Sequence, residues 1–207
     1  MTPRYDISGE IGMGPNTSAE VGRFLNANPG PVDIFVNSYG GFAHEGAGIF
    51  AALDRHGAAT AIVQGMAASA ASLLMLGARR VLIHDGTVVM INDPQAFVAG
   101  NSAAIRDAAN TLDKIGGIYA RLYSRATGHP QKRIEAWMRA ETWMTAEEAV
   151  ALNFADEIAK DDGAQPCAVA AYDYRKFRAA PPELVRLTLQ NGWANASPET
   201  ETNEAKQ

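Results

Sequence analysis

At 207 residues the chain is long enough for one substantial core with a small appendage, and its 47% hydrophobic and 20% charged residues describe an ordinary soluble globular protein. A formal net charge of −5 argues against a broad nucleic-acid surface, which would need a basic stripe. Cys167 has no second cysteine to pair with, which fits a reducing compartment, and one Cys with four scattered His makes no metal-ligand cluster.

In chain order, YDISGEIG (5–12) alternates well enough for a strand. TSAEVGRFL reads as a helix, with Thr17 and Glu20 spaced as a capping box and Val21, Phe24 and Leu25 on one face. VDIFVN is a short strand, SYGG a tight turn, and FAHEGAGIFAALDRHG a helix stopped by Gly57. ATAIVQ is another strand, and GMAASAASLLMLGA a small-residue turn running into a helix. Its apolar stretch, Gly65 to Ala78, falls short of the roughly 20 residues that span a bilayer, and no charged start and apolar run mark a signal peptide. RVLIHDGTVVMIN reads as two strands joined around Asp85-Gly86, a favourable hairpin pair, with two separate sheet elements as the alternative. The repeated strand–turn–helix order implies a largely parallel α/β layer, whose strand order the pattern does not give.

From Ser102 to Ala126, apolar or small residues recur at Ile105, Ala108, Leu112, Ile115, Tyr119, Leu122 and Ala126. These alternating steps of three and four predict one helix of roughly 37 Å. It is either an ordinary long core helix or, the favoured reading, a rod that projects and packs against another subunit. HPQKRIEAWM and TAEEAVAL are two further helices, the second with Thr145 and Glu148 as a capping box. The expected organisation is a domain over 1–160, a C-terminal extension over 161–194 and a disordered tail over 195–207. Within the extension DDGAQP is linker-like and PPELVRLTL a short helix.

Three turns carry possible chemistry. In Asn37-Ser38-Tyr39-Gly40-Gly41 the glycine pair can expose backbone N–H groups to an anion or developing oxyanion, although such pairs are commonly structural. In Gly65-Met66-Ala67-Ala68-Ser69-Ala70 small neighbours allow a sharp elbow with Ser69 Oγ at a helix N-terminus. Composition alone favours the plainer alternative, that Ser69 and Ser72 are small residues in a tightly packed Ala-rich helix. The third is VVMINDP, with Glu141-Thr142-Trp143 some fifty residues later; Glu141 alone is most simply a solvated charge.

Taken in order, VNSYGG, GMAASAAS, VVMINDP, the long helix and ETWMTAEEAVALNFADEI resemble the ClpP family of serine peptidases over roughly residues 5–159. The resemblance implies an α/β fold, a ClpP/crotonase-like spiral of strand-strand-helix units with a long projecting handle helix that interlocks two stacked rings. It implies Ser69 as nucleophile, Gly41 and Ala70 as the two N–H donors of the oxyanion hole, and Glu141 as the acidic member where housekeeping enzymes have Asp. Phe42, His44, Asp93 and Pro94 are the expected substrate-binding residues, with the Leu73–Leu76 stretch as apolar lining. No cofactor is implied; the expected partners are further copies of the chain and protein or peptide substrates, with no nucleic acid and no membrane.

The general base falls at Asn92, where the family pattern reads M-I-H-x-P. An amide has no basic lone pair near neutral pH and cannot take the serine proton. Losing that base costs on the order of 10⁶ in turnover, roughly 8 kcal/mol of barrier. The chain is therefore expected to be nearly inactive as a peptidase. His84 lies one strand earlier, His44 after the glycine pair has a small claim as substitute base, and His56 and His129 are expected to be exposed. No lysine precedes Lys114, which disfavours a Ser–Lys dyad. Asn92 is read either as a deliberate base-to-amide substitution, favoured because the rest of the apparatus is intact, or as the mark of a natural degenerate member retained for assembly.

Within the family, ETW before TAEEA, the Asp-Pro after the base position and a polar C-terminal extension resemble the ClpP-like head maturation proteases of tailed phages. These cut scaffold and capsid precursors inside the assembling prohead, in the host cytoplasm. The first strand begins within a few residues of Met1, leaving no room for the N-terminal loops that dock an ATPase ring, so an ATP-independent endopeptidase is expected. Two alternatives stand: a non-catalytic ring-forming assembly or scaffold protein, and, more weakly, an acyl-CoA enzyme of the related crotonase fold, in which the serine elbow would have no role.

Overall fold

The structure is a computed structural model; it describes residues 2–159 and 168–195, in two units, 1–170 and 171–207. The linker-like DDGAQP patch and the tail beyond 195 lie outside the described residues.

Among the described residues of the first unit, one sheet holds β1 (Arg4–Ile11), β2 (Val32–Gly41), β3 (Ala59–Ala68), β4 (Arg80–Ile83), β5 (Val88–Ile91), β6 (Thr142–Met144) and β7 (Glu157–Ile158). The path β1-β2-β3-β4-β7 is parallel throughout; β5 also pairs parallel with β3, and β6 runs antiparallel to β5. Helices α1 (Ser18–Ala27), α2 (Ala43–His56) and α3 (Ala70–Met75) connect the first four strands, so each returns the chain to the same edge direction. Burial alternates along β2: Val32, Ile34, Val36, Ser38 and Gly40 are buried, while Asp33, Phe35, Asn37 and Tyr39 on the opposite face are half-buried. The core closes on the buried row with Ile49 and Leu53 of α2 and Leu73 and Leu74 of α3.

Three expectations are corrected. The predicted SYGG turn is the end of β2, which runs through Gly41 because bulges at Val36/Ser38 and the positive φ of Gly40 and Gly41 (106° and 153°) bend the strand without ending it. Likewise β3 continues through Gly65 to Ala68, leaving only six residues for α3. Asp85-Gly86 makes no hairpin: β4 pairs with Thr60–Val63 and β5 with Met66–Ala68, both parallel to β3, so the turn steps the chain along one strand rather than reversing it. That is the separate-element alternative, and it carries β5 to the end of β3 where the elbow lies.

Helix α4 (Ser102–Thr127) starts at Asn101, whose Oδ1 accepts the Ala104 N–H, and ends at Gly128 in the left-handed conformation. Its 26 residues make a rod of about 39 Å. Tyr119, Ala120, Tyr123 and Thr127 are buried, whereas the first half is exposed, Ile105 included. The second half is a core helix, and the first half is an exposed handle. Helices α5 (Gln131–Ala140) and α6 (Ala146–Ala151) follow, the latter with both bonds of its capping box; at Thr17 only the Glu20 N–H bond forms, because the Glu20 carboxylate pairs with Arg23.

The second unit contains α7 (Pro182–Gln190), which buries Leu184 and Thr188. Thr188 Oγ1 accepts the Tyr174 N–H at 3.0 Å, and Tyr174 is ringed by Tyr172, Phe177 and Trp193. This small aromatic core holds together a unit that, among the described residues, contains no strand.

Candidate active site

Where β3 ends, the Ser69 N–H donates to Met90 O at 2.9 Å, continuing the β3–β5 ladder by one step. The chain then turns sharply: Ser69 sits at φ 53°, ψ −121°, and α3 begins at Ala70. A side-chain-bearing residue held at positive φ costs about 1–3 kcal/mol, a cost characteristic of functional elbows. Ala67, Ala68, Ala70 and Ala71 are all buried, so the turn is tight because nothing larger than a methyl group occupies it. The Ala70 and Ala71 N–H groups occupy the first helical positions and have no acceptor one turn earlier.

The glycine pair seats the end of β2 against this elbow. A Cβ on Gly40 would lie 2.7 Å from Ser69 Cβ and 2.9 Å from Ala68 O, and one on Gly41 would lie 2.2 Å from Ile11 O. Each glycine therefore admits a different neighbour, Gly40 the elbow and Gly41 strand β1. The motif pointed to the pair; the contact at Gly40 is visible only in three dimensions.

Asn92 and Glu141 are brought together by the β5–β6 ladder. Its register, Met90 with Trp143 and Ile91 with Thr142, places Asn92 opposite Glu141 at the next step. The Asp93 and Glu141 N–H groups both donate to Met138 O, at 3.2 and 3.0 Å, which ties the two ends together. Both side chains are buried, Asn92 at 9% and Glu141 at 4% exposure, so Glu141 is not the solvated charge its local sequence suggests. Glu141 is held in the left-handed conformation at the end of α5, and Trp143 Nε1 donates to its Oε1 at 3.4 Å. Asn92 Oδ1 has no hydrogen-bond partner, an arrangement costing about 1–3 kcal/mol for a buried polar atom. The end of β5 thus lies between the Ser69 elbow on one side and Glu141 on the other. The order is hydroxyl, amide, carboxylate. An amide in the middle can orient and donate, but cannot carry a proton from serine to a leaving group.

Of the remaining expected residues, Phe42 is exposed beside Gly12, and His44 is exposed with its ring 5.7 Å from Phe42 and Nε2 3.8 Å from Glu45. Asp93 is exposed and Pro94 half-buried, the latter beside Gly116 of α4. Of the Leu73–Leu76 stretch, Leu73, Leu74 and Met75 are fully buried in the core behind the elbow, and Leu76 is half-buried against it. His84 follows β4 opposite Val63, six residues along β3 from Ser69, which is about 20 Å of strand. His56 and His129 are half-buried, not exposed: each ring closes on a main-chain carbonyl, His56 on Asn28 at 2.9 Å and His129 on Leu152 at 3.0 Å.

Two site residues carried no sequence signal beyond helical periodicity. The Tyr119 hydroxyl donates to Ala43 O at 2.7 Å, and that of Tyr123 lies 2.8 Å from Ser72 Oγ and 3.3 Å from Ser69 O. Burial pushes both phenols well above their ordinary range, so both are neutral hydroxyls near neutral pH.

The model of the Clp protease family matches residues 24–162, a stretch containing Ser69, Asn92 and Glu141. The chain is 32% identical over 139 residues to the ATP-dependent Clp protease proteolytic subunit of Porphyromonas gingivalis, covering 64% of this chain and 62% of that protein. It is 30% identical over 139 residues to the protein of the same name from Bacteroides fragilis, 64% of this chain and 66% of that one. With proteolytic subunit 2 of Thermobifida fusca the identity is 28% over 132 residues, 61% and 64% of the two chains. The matched stretch spans less than two thirds of each of these relatives.

Proposed function

The chain belongs to the Clp protease family, and we propose on that premise that it is a ClpP-type serine endopeptidase subunit with its general base replaced by Asn92. Ser69 is the nucleophile, Ala70 and Gly41 donate to the oxyanion, and Glu141 is the carboxylate that would orient a base. The observation that carries this reading is the strained Ser69 elbow facing the end of β5, where Asn92 and Glu141 meet across the β5–β6 register. A backbone strained at one serine, with glycine packed against it, is the kind of feature that clusters at functional elbows. The same strain weighs against the acyl-CoA reading, which leaves the serine idle.

As it stands the chain lacks a group able to shuttle the serine proton, and its hydrolysis is expected to be minimal. Subunits assemble into rings, with the exposed first half of α4 as the contact between stacked rings. The ETW–TAEEA segment and the Asp93-Pro94 pair support a kinship with the head maturation proteases, with scaffold or capsid precursors as the substrates. The second reading, an assembly protein that retains the fold, is favoured by Asn92 itself, since a ring needs no base.

Reaction with a fluorophosphonate followed by peptide mapping tests the site. The expected result is slow labelling of the chain, labelling faster by several decades in Asn92→His, and an adduct confined to Ser69. An adduct on another serine, or equal rates in both proteins, would overturn the assignment.

A further inference from the structure

The Ser69 carbonyl is the most heavily bonded group at the elbow. It accepts the Ser72 N–H at 3.0 Å and the Leu73 N–H at 3.4 Å, then the Ser72 hydroxyl at 2.7 Å and the Tyr123 hydroxyl at 3.3 Å. Each hydroxyl has one proton. The Ser72 proton is committed to the Ser69 carbonyl, so the Tyr123 proton is shared between Ser72 Oγ at 2.8 Å and the same carbonyl. Ser72 and Tyr123 are completely buried, and desolvation keeps the phenol in its neutral donor form.

This carbonyl and the Ala70 N–H belong to one peptide plane. In a trans peptide the two point in opposite directions, so whatever fixes the carbonyl also aims the N–H. The preceding plane is fixed as well, by the Ser69 N–H to Met90 O. With both flanking planes held, Ser69 stays at its strained φ and ψ. Loading the carbonyl with donors also polarises the amide and strengthens its N–H as a donor.

We propose that Tyr123 and Ser72 are positioning residues: a buried hydroxyl pair, supplied by α4 and α3, that pins the Ser69–Ala70 peptide and thereby aims the Ala70 N–H at the oxyanion. The inference rests on Ser69 and Ala70 having the roles given above. It links the helix whose far end projects from the domain to the reacting groups through two hydrogen bonds.

Crystal structures and kinetics of Tyr123→Phe, Ser72→Ala and the double variant test it, each made in the chain as it stands and in Asn92→His. In the double variant the Ser69–Ala70 peptide is expected to rotate and Ser69 to leave its φ and ψ of 53° and −121°. In the Asn92→His background each single change is expected to lower kcat about 10-fold with KM altered less than about twofold, and the double to lose less than the product of the two. Ser124→Ala, which removes a hydroxyl bond to His129 O elsewhere on α4, is the control for general loosening and is expected to leave kcat unchanged. An unrotated peptide in the double variant, or a kcat loss no larger than the control's, would overturn the proposal. If Asn92→His is itself inert the functional assignment fails, and the peptide geometry still decides this inference by itself.

Discussion

Replacing Gly40 by alanine tests how the end of β2 meets the elbow. The new methyl group would stand 2.7 Å from Ser69 Cβ, 2.9 Å from Ala68 O and 3.3 Å from Ala70 N. Carbon atoms settle at about 3.5–4.0 Å, so something must move by most of an ångström, and each neighbour is backbone or the first carbon of a short side chain. Overpacking of this kind costs about 1–3 kcal/mol, and alanine at a φ of 106° adds about 1–3 kcal/mol of backbone strain. Gly9→Ala separates the two contributions, because Gly9 has a φ of 79° and nothing within 4 Å of an added Cβ. At about 2–4 °C per kcal/mol for a chain of this size, Gly40→Ala should melt about 2–12 °C below Gly9→Ala. Differential scanning calorimetry reads the gap directly. Equal melting temperatures would mean that β2 does not press on the elbow as described.

Two other perturbations follow from packing and charge. Glu45 Oε2 accepts the Ser18 N–H at 2.5 Å, which holds its carboxyl below the ordinary 4.5 and ties α2 to the first residue of α1. A pKa lowered by folding means stabilisation that is complete above the unfolded value and lost as pH falls through the folded one. Glu45→Gln should therefore lower Tm at pH 7, with the gap closing as the pH is taken below 4.5; a gap constant down to pH 3 would refute the assignment. Ile105→Asp places a charge on the exposed half of α4, where Ile105 is 50% exposed, and should reduce the mass seen by sedimentation velocity while Tm of the domain holds. An unchanged sedimentation coefficient would remove α4 from the contact between subunits.

The parts of this fold written most plainly in the sequence are those set by local chemistry. Gly57 ends α2 in the left-handed conformation, Thr145 begins α6 with both bonds of its capping box, and the heptad of α4 survives as one unbroken rod. What local chemistry does not encode is which strand a turn leads to. Asp85-Gly86 has the composition of a hairpin, yet the chain on either side pairs with successive stretches of β3, a choice made by β3 being long enough to serve both. The glycine pair suggests a turn and yet lies within β2 for a related reason: glycine bends a strand as readily as it ends one. At the site, the Ser69 elbow and the nearness of the Asn92 and Glu141 segments to it were legible from motif order. The burial of Glu141 and the Tyr123–Ser72 contact were not, because both depend on partners some fifty residues away in the chain.

The central claim is that an otherwise complete hydrolytic site lacks its proton carrier at position 92. Steady-state hydrolysis of a fluorogenic peptide or casein by the chain, by Asn92→His, and by Asn92→His with Ser69→Ala tests it most directly. The account predicts a gain of several decades on restoring the imidazole, approaching the order of 10⁶ that a missing base costs, and loss of that gain when Ser69 is removed. No gain from a folded, assembled Asn92→His protein, or a gain that survives Ser69→Ala, would contradict it.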